Sequence, residues 1–258
     1  MIKIPVAVQM FTLRKESQED FAGTLKKVAE LGFQGVEFAG YGGLTTKEVK
    51  ALLDEYGLQA AASHVPLEAL ENNLYGVIED QKILGSKFLV CPYLMPERRS
   101  EEDYKSLISF LDHAGEISTQ EGITLCYHNH DFELQRLSNG RMALESIFEK
   151  TNAENVKAEL DVYWLTKAGE KPVEWINRYR NRTPLIHLKD MTTDEEQFFA
   201  ELGTGGVDLE AILNIGGEAG VQWWVVEQDV CLRPPFESLE ASLNYLKTKL
   251  PYLLNTVK

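Results

Sequence analysis

Apolar positions along the chain follow two rhythms that alternate from one end to the other. Short runs rich in Val, Ile and aromatic residues read as strands at 4–10 ("IPVAVQM"), 34–39, 58–65, 86–93, 123–130, 156–162, 184–190 and 223–229. Segments with a helical period separate them at 17–32, 45–57, 66–84, 100–122, near 140–150, 171–180, 207–219 and 237–253. Punctuation supports these bounds. Ser17 is the expected N-cap of a helix that buries Phe21, Leu25, Val28 and Ala29 and stops at Gly32, and Thr45 and Gly57 bracket the next helix. Ser100 and Asp103 form a capping box. Eight alternating strand–helix units with no Pro/Ser-rich linker predict one α/β domain over 1–258, a (β/α)8 TIM barrel. A doubly wound open sheet is the alternative, but its Gly-rich first turn is missing from "QMFTLRKES".

Composition narrows the class. Apolar residues make up 44% of the chain, with 11 Phe, 10 Tyr and 4 Trp, enough for a full-sized core. No apolar run reaches the ~18–20 residues of a membrane span, and "MIKIPVAVQMFTLRKE" reads as a first strand, not a signal peptide. Cys91, Cys126 and Cys231 are far apart and form no CxxC pair, so they read as buried thiols of a reducing, cytoplasmic compartment. A formal charge of −14 opposes duplex nucleic acid and anionic membranes and suits a neutral or weakly charged small molecule.

Barrel sites form at the C-terminal ends of strands. Those ends carry Gln9, Glu37, His64, His128 and His130, Asp161, then His187, Lys189 and Asp190, and finally Glu227, while the fourth strand offers only Tyr93. Alternation places Thr124, Cys126, His128 and His130 on one face, opposite Ile123, Leu125 and Tyr127. Leu185, His187 and Lys189 likewise share a face. His128, Asp161, His187 and Glu227 arrive from four different strands, and two imidazoles with two carboxylates suit one divalent ion, Mn2+, Zn2+ or Co2+. Each residue also has a plainer reading. A strand-end His can be a hydrogen-bonded structural residue, Asp161 can cap the segment after it, and Glu227 can be a rim carboxylate paired with a Lys.

"SHVP", "YHNHDFE", "ELDVYW", "IHLKD", "LGTGGVDL" and "VVEQD" together resemble the xylose-isomerase-like barrels over essentially the whole chain. That superfamily of sugar isomerases and epimerases also contains endonuclease IV and inosose dehydratase. The resemblance implies a metal-dependent isomerase or epimerase acting by proton abstraction next to the carbonyl of a keto sugar. A metal-dependent dehydratase or lyase on a keto-inositol or 3-keto glycoside is the alternative. Ketose 3-epimerase relatives hold their metal through Glu, Asp, His and Glu; Asp161, His187 and Glu227 match, and His128 stands at the first position. Those epimerases use the two glutamates as paired acid and base, so His128 sets this chain apart, as does Trp164 where the family commonly has His.

By the same resemblance Glu227, Lys189 and His130 are the expected acid–base groups. Gln9, Glu37 and His64 are expected to meet sugar hydroxyls, and Trp164 and Phe11 to stack on the ring. Barrels of this kind are often dimers, so a homodimer is an open expectation. A nuclease is disfavoured by the charge and by only 5 His. Arg98-Arg99 and "GTGG" are the only hints of a phosphate site and read better as a solvated loop and a turn before a helix starting near Asp208. A carbohydrate-binding barrel without catalysis is the non-enzyme alternative.

Overall fold

In the computed structural model, which describes residues 2–255, the apolar runs form β1 (Val6–Gln9), β2 (Gly35–Phe38), β3 (Gln59–His64) and β4 (Phe88–Cys91). They continue as β5 (Thr124–His128), β6 (Val156–Asp161), β7 (Leu185–Leu188) and β8 (Trp223–Val226). Each strand pairs in parallel with its neighbour in sequence, and β8 closes the ring against β1. The fold is therefore the expected (β/α)8 barrel. Among the described residues no helix is long and apolar enough to cross a membrane.

The helices begin and end largely where their caps dictate. Thr45 with Glu48 and Ser100 with Asp103 form reciprocal capping boxes, and Gly32, Gly57 and Gly220 end helices in the left-handed conformation that costs glycine least. The first expected helix needs correction. Ser17 lies inside a short helix, Arg14–Glu19, and the main helix, Phe21–Leu31, is capped by Asp20, whose carboxylate accepts from the Gly23 N–H at 2.8 Å. Asp20 is extended there, which breaks the two apart and turns Phe21 and Leu25 onto the barrel. A further helix, Val162–Lys167, follows β6 immediately because Asp161 Oδ1 accepts from the N–H groups of Tyr163 and Trp164.

Side-chain alternation separates the two faces of the strands. Leu125, Tyr127, Ile186 and Leu188 pack outward against the helices, whereas Ala7, Phe88, Val90, Cys126, Leu185, Trp223 and Val225 form a separate apolar plug inside the barrel. The polar ends of the same strands stand above that plug. Cys91 and Cys126 are buried free thiols, and Cys231 is half-buried.

Asp190 organises the chain beyond β7. Its Oδ2 accepts from the N–H groups of Gly203 at 2.9 Å and Gly205 at 3.1 Å, and its Oδ1 from Val207 at 3.0 Å and Met191 at 2.8 Å. A Cβ on Gly205 would lie 2.0 Å from the Met191 carbonyl oxygen, so only glycine admits this close approach. The "GTGG" stretch is thus the turn the sequence indicated, leading into the helix Leu209–Ala219 capped by Asp208. Asp190→Ala leaves these buried N–H groups without their acceptor and is expected to lower stability by at least about 3 kcal/mol in urea unfolding.

Candidate functional site

A cavity of about 870 Å3 opens at the C-terminal end of the barrel. Its walls are aromatic, with Phe11, Tyr41, Tyr93, Phe132 and Trp164, and its polar groups are His64, His128, His130, Lys189, Glu227 and Asp229. Arg99 joins the wall with its guanidinium 3.5 Å from the Phe132 ring centroid, while Arg98 is taken up by a two-pronged surface pair with Glu71. Apolar faces with a few convergent polar groups are what a polyhydroxylated ring with one apolar side requires.

Lys189, just past β7, reaches acids from the strands on either side of it. Its Nζ lies 3.0 Å from Asp161 Oδ2, 2.6 Å from Glu227 Oε2 and 2.6 Å from Asp229 Oδ1. Burial works against the Lys189 ammonium, yet Asp161, Asp229 and Glu227 hold its pKa well above the usual lysine value. Burial alone would raise the Glu227 carboxyl, but Lys189 and His187 bring it well below the ordinary carboxylate range. Asp161 is raised to about 6, because burial outweighs the nearby Lys189 and His187 charges.

A second polar layer lies deeper. His64 Nε2, His128 Nδ1 and His187 Nε2 stand 2.6, 3.0 and 3.3 Å from Glu159 Oε2. Glu37 Oε2 is 2.5 Å from His187 Nε2 and accepts a 2.8 Å bond from the Gln9 amide. Burial and the neighbouring Glu159 raise Glu37 to about 7. Burial lowers His128 to about 3, and it keeps His130 neutral well below the usual imidazole value.

The structure therefore gathers His128, Asp161, His187 and Glu227 at one place, but in two tiers. Asp161, His187 and Glu227 offer ligand atoms within 4.8 Å of one another, and His64, His128, Glu159 and His187 do the same. His128 turns its Nδ1 to the second group, and its Nε2 stays 3.8 Å from Asp161 Oδ2. Imidazole and carboxylate donors of this kind suit a divalent ion. Glu159 Oε1 and Glu37 Oε1 are also buried without a hydrogen-bond partner among the described residues, as unused ligand atoms would be.

His64, His130, Trp164, Lys189 and Glu227 face the cavity, as does Phe11. Gln9 and Glu37 do not reach it: both are fully buried and bonded to each other, and Glu37 is also engaged with His187. Asp161 caps a helix and Glu227 pairs with a lysine, so the plainer readings of both hold alongside any chemical role. Sequence reasoning passed over Glu159, Glu133 and Asp229. Glu159 was legible, since it precedes Asp161 by one full alternation and shares its face. Glu133, inside "YHNHDFE", accepts from the Tyr127 hydroxyl and the His130 N–H, both at 2.8 Å, and so fixes the loop that carries His130 beyond the end of β5.

Comparison with known proteins agrees with this architecture. Residues 25–249 match the family of xylose isomerase-like TIM barrels, and the chain belongs to that family. An inosose dehydratase of Clostridium beijerinckii is 24% identical, with 90% of each chain covered. A sugar phosphate isomerase/epimerase structure from Parabacteroides distasonis superposes with a TM-score of 0.79 at 26% identity, covering 98% of this chain and 96% of the other. An L-ribulose 3-epimerase shares the fold, with a TM-score of 0.74 at 14% identity over 98% and 96% of the two chains.

Lys189 is the positive charge that lets Asp161, Glu227 and Asp229 stand together. Lys189→Met is expected to cost about 3–5 kcal/mol in urea unfolding, the penalty for leaving buried charge uncompensated. Adding Asp229→Asn to that variant should restore part of the loss.

Proposed function

We propose that this chain is an enzyme that removes the proton beside the carbonyl of a keto sugar or keto polyol and expels a neighbouring hydroxyl as water. The observation that carries the reading is the Glu227–Lys189 pair, 2.6 Å apart and both facing the cavity. An ionised carboxylate next to an ammonium places a base and an acid on the same side of a bound ring. Glu227 takes the proton from carbon, the C–H electron pair becomes a C=C bond conjugated with the carbonyl, and the C–O bond breaks. The departing hydroxyl takes a proton from Lys189 and leaves as water. The proton on Glu227 then passes back to Lys189 across the same short contact, and the pair is reset.

The aromatic walls hold the apolar face of the ring, with Trp164 Nε1 and His130 Nδ1 buried and free of hydrogen-bond partners among the described residues. His64, at the cavity wall, would meet a hydroxyl. A divalent ion, Mn2+, Zn2+ or Co2+, bound by the imidazoles and carboxylates of the floor would polarise the carbonyl and acidify the proton beside it. The dehydratase relative supports elimination on a ring of this chemistry.

Epimerisation is the second reading, and His130 is the residue that favours it. Inversion needs proton-handling groups on both faces of one carbon. Glu227 would serve one face and the neutral His130 imidazole, with its free Nδ1, the other.

NMR of ketoses, keto-inositols and 3-keto glycosides incubated with the protein in D2O separates these readings. Elimination is expected to give a conjugated enone, absorbing in the ultraviolet, from one substrate class. Glu227→Gln should reduce its formation by about 10^2–10^4-fold with an unchanged circular dichroism spectrum. A deuterated epimer without enone would replace elimination by epimerisation. Binding of a substrate without any exchange would leave a carbohydrate-binding barrel.

A further inference from the structure

The two tiers of ligand atoms share His187, yet they differ in what balances their charge. In the upper tier a cation is already present, because the Lys189 ammonium stands 3.0 Å from Asp161 Oδ2 and 2.6 Å from Glu227 Oε2. A divalent ion among these oxygens would sit against that ammonium, and like charges at such separation in a dry site repel strongly. The lower tier has no ammonium. Among the described residues the ion-pair partners of Glu37 and Glu159 are imidazoles alone, His64 and His187 for both and His128 for Glu159.

Both glutamates are fully buried, and among the described residues Oε1 of each has no hydrogen-bond partner. Proteins balance buried carboxylates by pairing or by metal coordination, and here the pairing is with imidazoles, whose nitrogens are themselves metal ligands. The geometry is already convergent. His64 Nε2, His128 Nδ1, His187 Nε2 and Glu159 Oε2 lie within 4.8 Å of one another, delivered from β3, β5, β7 and β6. Glu37 Oε2 stands 3.3 Å from His64 Nε2 and 2.5 Å from His187 Nε2, close enough to serve as a further ligand. His64 and His128 also line the cavity, so an ion here has a way in and an open side toward a bound molecule.

We propose that His64, His128, His187 and Glu159, with Glu37 beside them, form a divalent-metal centre one side-chain layer below the Asp161–Glu227 pair. Three imidazoles and a carboxylate select an ion with affinity for nitrogen, Zn2+ or Co2+, over Mg2+ or Ca2+. His187 connects the tiers. Its Nε2 faces the metal position, and its Nδ1 lies 2.8 Å from Glu227 Oε2, so the metal ligand is oriented by the carboxylate that faces the cavity. The site stands whether the cavity carries out elimination, epimerisation or binding alone.

Chelator-stripped protein titrated with Zn2+ and with Co2+ tests it without reference to turnover. One equivalent of metal is expected to remain after gel filtration, by elemental analysis. Pulsed electron paramagnetic resonance of the Cu2+-substituted chain should count three coordinated imidazoles. Glu159→Gln and His64→Gln should each weaken Zn2+ binding by at least about 100-fold, the upper end of what losing a mere supporting contact costs. Asp161→Asn should leave it within about threefold, a change too small for loss of a ligand, and Glu227→Gln, which weakens only the contact that orients His187, should cost about 10-fold. The reverse pattern would overturn the proposal in favour of the upper tier, and so would a parent chain that retains no metal. Should Glu159→Gln fail to fold by circular dichroism, His64→Gln, at the cavity wall, decides alone. Loss of turnover in Glu227→Gln with metal retained would speak to the reaction and leave this centre intact.

Discussion

One ammonium group holds the mouth of this barrel together. Asp161 ends β6, Glu227 and Asp229 follow β8, and β7 lies between those strands in the ring with Lys189 just beyond its end. Barrel closure brings the three acids to one place, where they would repel one another across a poorly solvated space. Lys189 makes that arrangement tolerable. It also sets the state in which the groups meet a ligand, with Glu227 ionised and a proton donor beside it. Stability and the chemistry proposed for the cavity therefore rest on the same contact.

Below that contact the interior is ordered by depth. Apolar side chains such as Phe88, Leu185, Trp223 and Val225 plug the barrel, the imidazole and glutamate layer rests on them, and the lysine with its carboxylates lies above. Aromatic walls rise from there to the opening. A dry floor strengthens each electrostatic interaction made on it and leaves little solvent to reorganise when charge develops on a bound molecule. Asp190 and Glu133 support this from outside the cavity, one ordering the chain after β7 and the other the loop after β5.

Much of this was legible in the residue pattern. Strand order, helix stops and inward faces follow from local periodicity, and Cys126 and His128 lie inside the barrel as alternation requires. Two kinds of detail were not. The N-cap at Asp20 displaced the one expected at Ser17, because both residue types cap well and only the packing of Phe21 and Leu25 chooses between them. Depth was the other. Looking only at strand ends selects Asp161 and passes over Glu159, and it sends Gln9 and Glu37 to the cavity when the barrel keeps them beneath it.

What the sequence determined by itself is the set of chemical groups, the strand that carries each, and the face on which it lies. These are consequences of a two-residue side-chain period acting within one strand. What only the tertiary structure decided is which groups meet. The stagger of neighbouring strands around a closed barrel sets the height of every side chain above the plug, and no local pattern encodes it. That stagger pairs Asp161 with His187 and His128 with Glu159, and so divides one expected ligand set into two tiers. It also places Lys189 against acids from both flanking strands, so that the upper tier holds an ammonium and the lower one only imidazoles.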